Sequence, residues 1–112
     1  MPWTTLCETS ELKEGEGHFV QIDGRELAVF LDAGEPRVMD NLCPHAGGSM
    51  ASGYLEKQGD LTCAVCPWHG WAFRVDTGDY VDMPGFEIKV YEARLETAED
   101  GRRLVQADLP MP

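Results

Sequence analysis

Two short segments of this 112-residue chain carry cysteine and histidine side chains at spacings that suit metal binding. Cys43 and His45 are separated by one proline, and Cys66 and His69 are separated by a Pro-Trp pair. Thiolates and imidazoles are ligands of zinc and of iron centres. Proline restricts the backbone φ angle, so each segment is expected to form a stiff loop that presents both side chains. The spacing therefore predicts one metal site built from Cys43, His45, Cys66 and His69.

The residues around these side chains narrow the kind of site. Residues 41–48 read Asn-Leu-Cys-Pro-His-Ala-Gly-Gly, and residues 66–73 read Cys-Pro-Trp-His-Gly-Trp-Ala-Phe. Both strings resemble the cluster-binding loops of the Rieske ferredoxin family. The resemblance implies one 2Fe–2S cluster per chain, with Cys43 and Cys66 on one iron and His45 and His69 on the other. It also implies a carrier of single electrons that is not itself an enzyme.

Other uses of the same side chains stay open. The four residues would also make a Cys₂His₂ zinc site, and Cys63 with Cys66 forms a CxxC pair that could replace a histidine. A thioredoxin-like redox CxxC should open a helix in a βαβ unit, and no such unit is predicted. In the Rieske interpretation Cys63 is a small buried side chain. Cys7 is predicted to be an exposed or half-buried thiol, and both are expected to be free.

Four positions predict a low reduction potential within the family. Gly48 and Trp68 stand where the high-potential branch carries a disulfide. Trp71 and Phe73 stand where that branch has a serine and a tyrosine whose hydroxyls bind cluster sulfurs. Without these donors the reduced cluster is less stabilised, so we expect a potential near the low end of the Rieske range, at about −150 mV.

Two further features concern the surroundings of the cluster. Met83-Pro84-Gly85 resembles the third, proline-containing loop that covers the cluster in this family. Trp68 and Trp71 flank His69 and are predicted to shield the cluster from water. Alternatively, Trp68 belongs to an apolar rim on which a redox partner docks.

Short strand-like runs between turn signals predict an all-β fold, a small sandwich or barrel. Asp23-Gly24 is a hairpin turn signal, and Ser10 is expected to cap a helical turn near residues 10–13. The resemblance implies a single Rieske domain over residues 1–112. It also implies an antiparallel β-sandwich with a small inserted cluster-binding subdomain at about 41–73. Strands are predicted at 19–22, 27–31, 37–40, 54–56, 60–64, 71–75, 86–95 and 104–107.

The charge of the chain limits its partners. Twenty acidic and nine basic side chains give a net charge of −11, which disfavours nucleic acids and anionic membranes. Such a charge would steer the protein toward a basic face on a redox partner. No apolar run reaches the roughly 18 residues of a membrane helix, and no signal peptide is recognised, so a cytoplasmic location is expected. The chain is also expected to be a monomer.

The expected partners follow from the resemblance. A flavin reductase fed by NAD(P)H would supply the electron, and a terminal oxygenase that hydroxylates aromatic compounds would receive it. One alternative is the small Rieske subunit of an assimilatory nitrite reductase. Another alternative, from a different class, is a zinc-stabilised binding module.

Overall fold

The computed structural model describes residues 3–44, 47–68, 70–83 and 85–110. Within them the chain forms ten β-strands and two short 3-10 turns, so the predicted all-β class is confirmed. None of the described residues belongs to a helix long and apolar enough to cross a membrane. The strands are β1 (Trp3–Glu8), β2 (His18–Ile22), β3 (Arg25–Asp32), β4 (Glu35–Asp40), β5 (Tyr54–Gln58), β6 (Leu61–Val65), β7 (Ala72–Arg74), β8 (Val90–Tyr91), β9 (Ala93–Thr97) and β10 (Arg103–Asp108), and the 3-10 turns are Thr9–Glu11 and Met50–Ser52.

The strands pair into three antiparallel sheets. The first has the order β1-β10-β9, the second β2-β3-β4-β8, and the third β5-β6-β7. The third sheet is inserted in the chain between β4 and β8, and the two cysteine segments lie at its entry and within it. The insertion thus separates the strands of the second sheet in sequence while leaving them paired in space.

Strand β3 shows why the second sheet lies in the middle. Side chains alternate between the two faces of a strand, so Leu27 and Val29 point one way and Ala28 and Phe30 the other. Leu27 and Val29 pack in a core with Val105 of the first sheet. Ala28 and Phe30 pack in a second core with residues of the third sheet and of both cysteine loops. Because β3 is buried on both faces, it reads as a continuous apolar run.

Two hairpin turns join the strands of the second sheet. Asp23 and Gly24 have φ angles of 50° and 77°, as a two-residue hairpin turn with left-handed geometry requires. Ala33 repeats this geometry at the next turn, with a φ of 51°. Glu14 stabilises this left-handed conformation of Ala33, because its carboxylate accepts a hydrogen bond from the Ala33 N–H at 2.6 Å. The Asp23-Gly24 turn stands where the sequence predicted it.

The prediction of one strand from 86 to 95 is wrong. Residues 86–89 belong to none of the ten strands, although Glu87 forms an isolated bridge with Asp79, and the chain then enters two different sheets. Val90–Tyr91 pairs with β4, whereas Ala93–Thr97 pairs with β10. Alternation of side chains indicates an extended backbone, but it does not tell which neighbour each part of that backbone will pair with.

The first eleven residues also depart from the expectations. Strand β1 was not predicted, because the strand with which it pairs, β10, begins nearly a hundred residues away. Ser10 lies inside the 3-10 turn and is not its cap, since the turn begins after Glu8, whose N–H donates to the Glu11 carboxylate at 2.8 Å. Cys7 is 8% exposed, hence buried, and its environment raises its thiol pKa to about 11, mainly through desolvation.

Candidate functional site

The first cysteine loop leaves the end of β4 and folds back on itself. The Cys43 N–H donates to the Gly48 carbonyl at 2.8 Å, and the Gly47 N–H donates to the Cys43 carbonyl at 2.8 Å. Gly47 has a φ of 70°, which favours glycine. These two hydrogen bonds close a six-residue loop with Cys43 at its start.

Asn41 anchors this loop and was not singled out by the sequence analysis. It is a buried polar side chain, and its Oδ1 accepts hydrogen bonds from the Ser49 hydroxyl at 3.1 Å and the Ala51 N–H at 2.9 Å. One side chain therefore holds the entry and the exit of the loop together. Its place two residues before Cys43 was the available signal, because a buried amide needs partners from neighbouring backbone.

The second cysteine loop connects β6 to β7. Its ends are joined by the Cys66 N–H, which donates to the Trp71 carbonyl at 2.7 Å. The Trp68 backbone N–H lies near the Cys66 sulfur and lowers the pKa of that thiol. A backbone donor at this place stabilises negative charge on the sulfur, as a thiolate ligand of a metal requires.

The structure brings the Cys43 and Cys66 thiols together. Both are fully buried, and they lie close enough that Cys43 raises the pKa of the Cys66 thiol. Burial raises the pKa of the Cys66 thiol, the Trp68 N–H opposes this rise, and the contact with Cys43 adds to it. Two adjacent sulfurs from separate loops suit binding to one iron, so these cysteines fit the 2Fe–2S ligand set on the side that the structure describes.

The other predicted ligands, His45 and His69, lie outside the described residues, as does Pro84 of the predicted cover loop. Among the residues that the structure does describe, no three Cys, His, Asp or Glu side chains are grouped so as to hold a metal ion. Cys43 and Cys66 therefore form a pair that needs further ligands from beyond the described ranges.

Cys63 does not join this pair. It lies on β6, three positions before Cys66, which directly follows that strand, so the two side chains point to opposite faces. There it is fully buried in a small apolar cluster with Val65 and Ala72, while Cys66 belongs to the core that holds Cys43. Burial raises the pKa of the Cys63 thiol, and the Glu56 carboxylate adds to this effect. The predicted buried role is confirmed, and the CxxC zinc arrangement does not fit this geometry.

Aromatic rings surround the second loop. The Trp71 ring stacks on Tyr80, with ring centroids 4.1 Å apart and planes 3° from parallel. Phe86 meets the same indole edge to face, at 5.6 Å and 85°. Tyr80 was not singled out by the sequence analysis. Phe86 was interpreted only as a residue of the sheet.

Trp68 is 57% exposed, which favours the predicted apolar rim over a shield at this position. Leu42, Met83 and Phe86, on the first loop and on the segment that follows β7, are also exposed. Asp79 and Glu87 face each other across a bridge one residue from Tyr80 and Phe86. Apolar side chains edged by exposed carboxylates suit contact with a basic protein surface.

Comparison with known proteins is consistent with this site. A family model described as the Rieske [2Fe-2S] domain matches residues 2–92. The ferredoxin component of the naphthalene 1,2-dioxygenase system of Pseudomonas putida is 35% identical over 95 residues, covering 84% of this chain and 88% of the relative. A crystal structure assigned to an NADH-dependent nitrite reductase small subunit of Mycobacterium tuberculosis has a TM-score of 0.83 and 31% identity, and the match covers 98% of this chain and 97% of that chain.

A longer relative shares only a segment with this chain. The cholesterol 7-desaturase of Hemicentrotus pulcherrimus is 36% identical over 83 residues. Those residues cover 73% of this chain but 17% of the relative. The chain thus spans less than a fifth of that relative's length.

Proposed function

Because the chain belongs to the Rieske [2Fe-2S] domain family, we propose that it carries single electrons from an NAD(P)H-dependent flavin reductase to a terminal oxygenase that hydroxylates aromatic rings. In this proposal it is not itself an enzyme, and it works as a cytoplasmic monomer. The observation that carries the proposal is the pair of buried thiols, Cys43 and Cys66, placed beside exposed apolar side chains.

Family membership assigns one 2Fe–2S cluster to the chain and excludes the zinc-stabilised module. When bound, the cluster accepts and releases one electron. The proposed ligands are Cys43 and Cys66 on one iron and His45 and His69 on the other. We place them in a cluster-binding subdomain of about residues 41–73, within a single domain of residues 1–112.

This chain's own residues do three things in the proposed transfer. The Trp68 N–H stabilises negative charge on the Cys66 sulfur. Asn41 and the bonds inside the first loop hold Cys43 in place, which limits rearrangement when the charge changes. The exposed Trp68 gives a partner an apolar contact on the loop that carries Cys66.

The test uses anaerobically purified protein. It should contain about two irons and two acid-labile sulfides per chain and titrate as one electron near −150 mV. With NADH and a flavin-dependent ferredoxin reductase it should become reduced, and the oxygenase of the naphthalene dioxygenase system should reoxidise it while forming product. The Cys66→Ser variant is the negative control. A cluster that forms but is never reoxidised by the oxygenase would overturn the assigned partner and leave the electron carrier intact.

The nitrite reductase likeness supports a second candidate. The match to the Mycobacterium tuberculosis structure extends over nearly the whole of both chains, which is what a stand-alone small subunit would show. In that role the chain would be a fixed part of an enzyme. Stable co-purification with a large sirohaem flavoprotein, together with nitrite-dependent oxidation of NADH, would favour the subunit over the diffusing carrier.

The apolar rim can be tested separately with cytochrome c as a basic electron acceptor. We expect the second-order rate of its reduction to fall as salt is added, because opposite charges are then screened. Trp68→Ser should slow the reaction, whereas Phe19→Ser should not, since Phe19 is a similarly exposed aromatic side chain on β2. Equal rates for both variants would contradict docking through Trp68.

A further inference from the structure

Trp71 links the backbone of the second cysteine loop to a neighbouring segment. Its carbonyl accepts the hydrogen bond from the Cys66 N–H at 2.7 Å, so the position of Trp71 determines where Cys66 begins the loop. Its side chain contacts Tyr80 and Phe86, which lie on the segment that follows β7. Any movement of that indole therefore acts on the backbone that carries the Cys66 sulfur.

Two aromatic residues of that segment pack against the indole of Trp71. Tyr80 stacks on it face to face, and Phe86 contacts it edge to face. The Tyr80 N–H donates to the Phe86 carbonyl at 3.0 Å, which joins the two backbone positions that carry these rings. We call Trp71, Tyr80 and Phe86 the aromatic clamp.

The clamp is also tied to the interior. The Tyr80 ring lies 5.6 Å from that of Phe73, which is fully buried in the core that contains Cys43 and Cys66. The segment is further joined to β7 by the Val81 N–H, which donates to the Ala72 carbonyl at 3.1 Å. The segment is thus joined to β7 by a backbone hydrogen bond and to Trp71 of the second cysteine loop by its aromatic rings.

We propose that the aromatic clamp positions the second cysteine loop and thereby sets both the retention and the reduction potential of the cluster. This inference rests on the proposed function, since it concerns the same site. Tyr80 and Phe86 are positioning residues, because they act on Cys66 through Trp71. With the stack removed, the loop would open and admit water, and water stabilises the more negative reduced state.

The experiment compares three variants of the full chain. Tyr80→Leu removes the stacked ring but stays apolar, Tyr80→Phe retains the ring, and Phe19→Leu removes an exposed aromatic side chain elsewhere. We measure the rate of bleaching under an iron chelator, the midpoint potential, the EPR spectrum and the thermal midpoint of unfolding.

Tyr80→Leu should bleach about twofold to tenfold faster, the range that corresponds to losing an aromatic pair. Its potential should rise and its EPR spectrum should change, while Tyr80→Phe and Phe19→Leu should match the parent protein. A lower unfolding temperature with an unchanged potential and bleaching rate would overturn the proposal, because the clamp would then be merely structural. Absence of iron and sulfide from the parent protein would instead overturn the proposed function.

Discussion

Gly48 of the first cysteine loop lies directly against the Trp68 side chain of the second. A Cβ added to Gly48 would lie 2.9 Å from Cδ1 and 3.0 Å from Cγ of the indole. It would also lie 3.0 Å from the Cys66 sulfur. The two loops are therefore in contact at Gly48 and Trp68, the two positions at which the high-potential branch of the family carries its disulfide. The loops can approach this closely because Gly48 has no side chain.

This contact predicts that a disulfide can be installed. In a disulfide with an S–S bond of about 2.04 Å, the Cβ of one cysteine lies about 3 Å from the Sγ of the other. A Cβ on residue 48 would lie 3.0 Å from Trp68 Cγ, the atom that an Sγ would replace if residue 68 were cysteine. The double variant Gly48→Cys/Trp68→Cys should retain its iron and show no increase in free thiols. The closed loop should stabilise the fold by about 3 kcal/mol in denaturant titrations.

The single variant Gly48→Cys is the control for that experiment. Its new Cβ would lie 3.0 Å from the Cys66 sulfur, so oxidation should couple residues 48 and 66 and release iron. If the double variant loses its iron and peptide mapping finds its disulfide between positions 48 and 66, the predicted pairing is wrong.

Replacing Cys63 should leave the cluster in place. Its side chain lies in an apolar cluster on the far side of β6 from Cys66, so Cys63→Ser should keep the full iron content. Burial of a hydroxyl there should lower stability by about 1–3 kcal/mol. Iron analysis and urea unfolding, with Cys66→Ser as the matched variant that loses iron, check both statements.

Exchange of a predicted histidine ligand should lower the potential. His45→Cys or His69→Cys would replace a neutral imidazole by a thiolate, and the added negative charge disfavours reduction. Potentiometric titration of whichever variant retains a cluster measures the shift. A potential equal to that of the parent would count against ligation by the exchanged residue.

Tyr91 should make stability pH-dependent in alkaline solution. Its hydroxyl donates to the Asp40 carboxylate at 2.6 Å, and desolvation followed by this carboxylate raises its pKa from 10 to about 12. The folded state thus favours the protonated phenol. The stability that this gives is fully present below pH 10 and is lost as the pH rises through about 12.

The matched variant is Tyr91→Phe, which has no hydroxyl to titrate. The difference in unfolding free energy between parent and variant should be constant below pH 10 and shrink between pH 10 and 12. A difference that stays constant over that interval would show that Tyr91 does not titrate as its contacts indicate.

Local patterns were sufficient for several elements. The Asp23-Gly24 turn could be predicted because its left-handed geometry depends on those two residue types. The apolar run in β3 predicted a strand for a similar reason, since a run bounded by turn signals is typical of a buried strand. The sequence also contained the information that Cys63 and Cys66 point in opposite directions, because residues three apart in an extended segment lie on opposite faces.

The pairing of strands that are far apart in sequence could not be predicted from local patterns. Strand β1 pairs with β10, and residues 90–97 divide between two sheets, through contacts with residues far away in sequence. Asn41 and Tyr80 owe their importance to neighbours that only the folded chain supplies.

By itself, the sequence determined the family, the all-β class and the two loops with their proposed ligands, because short-range spacing and turn chemistry carry that information. Only the tertiary structure decided that the Cys43 and Cys66 thiols meet in a dry core, that Gly48 gives Trp68 room, and that Trp71 is held by Tyr80 and Phe86. The physical reason is that these relationships are contacts across separate segments, and such contacts depend on how three sheets pack and not on the spacing within any one of them.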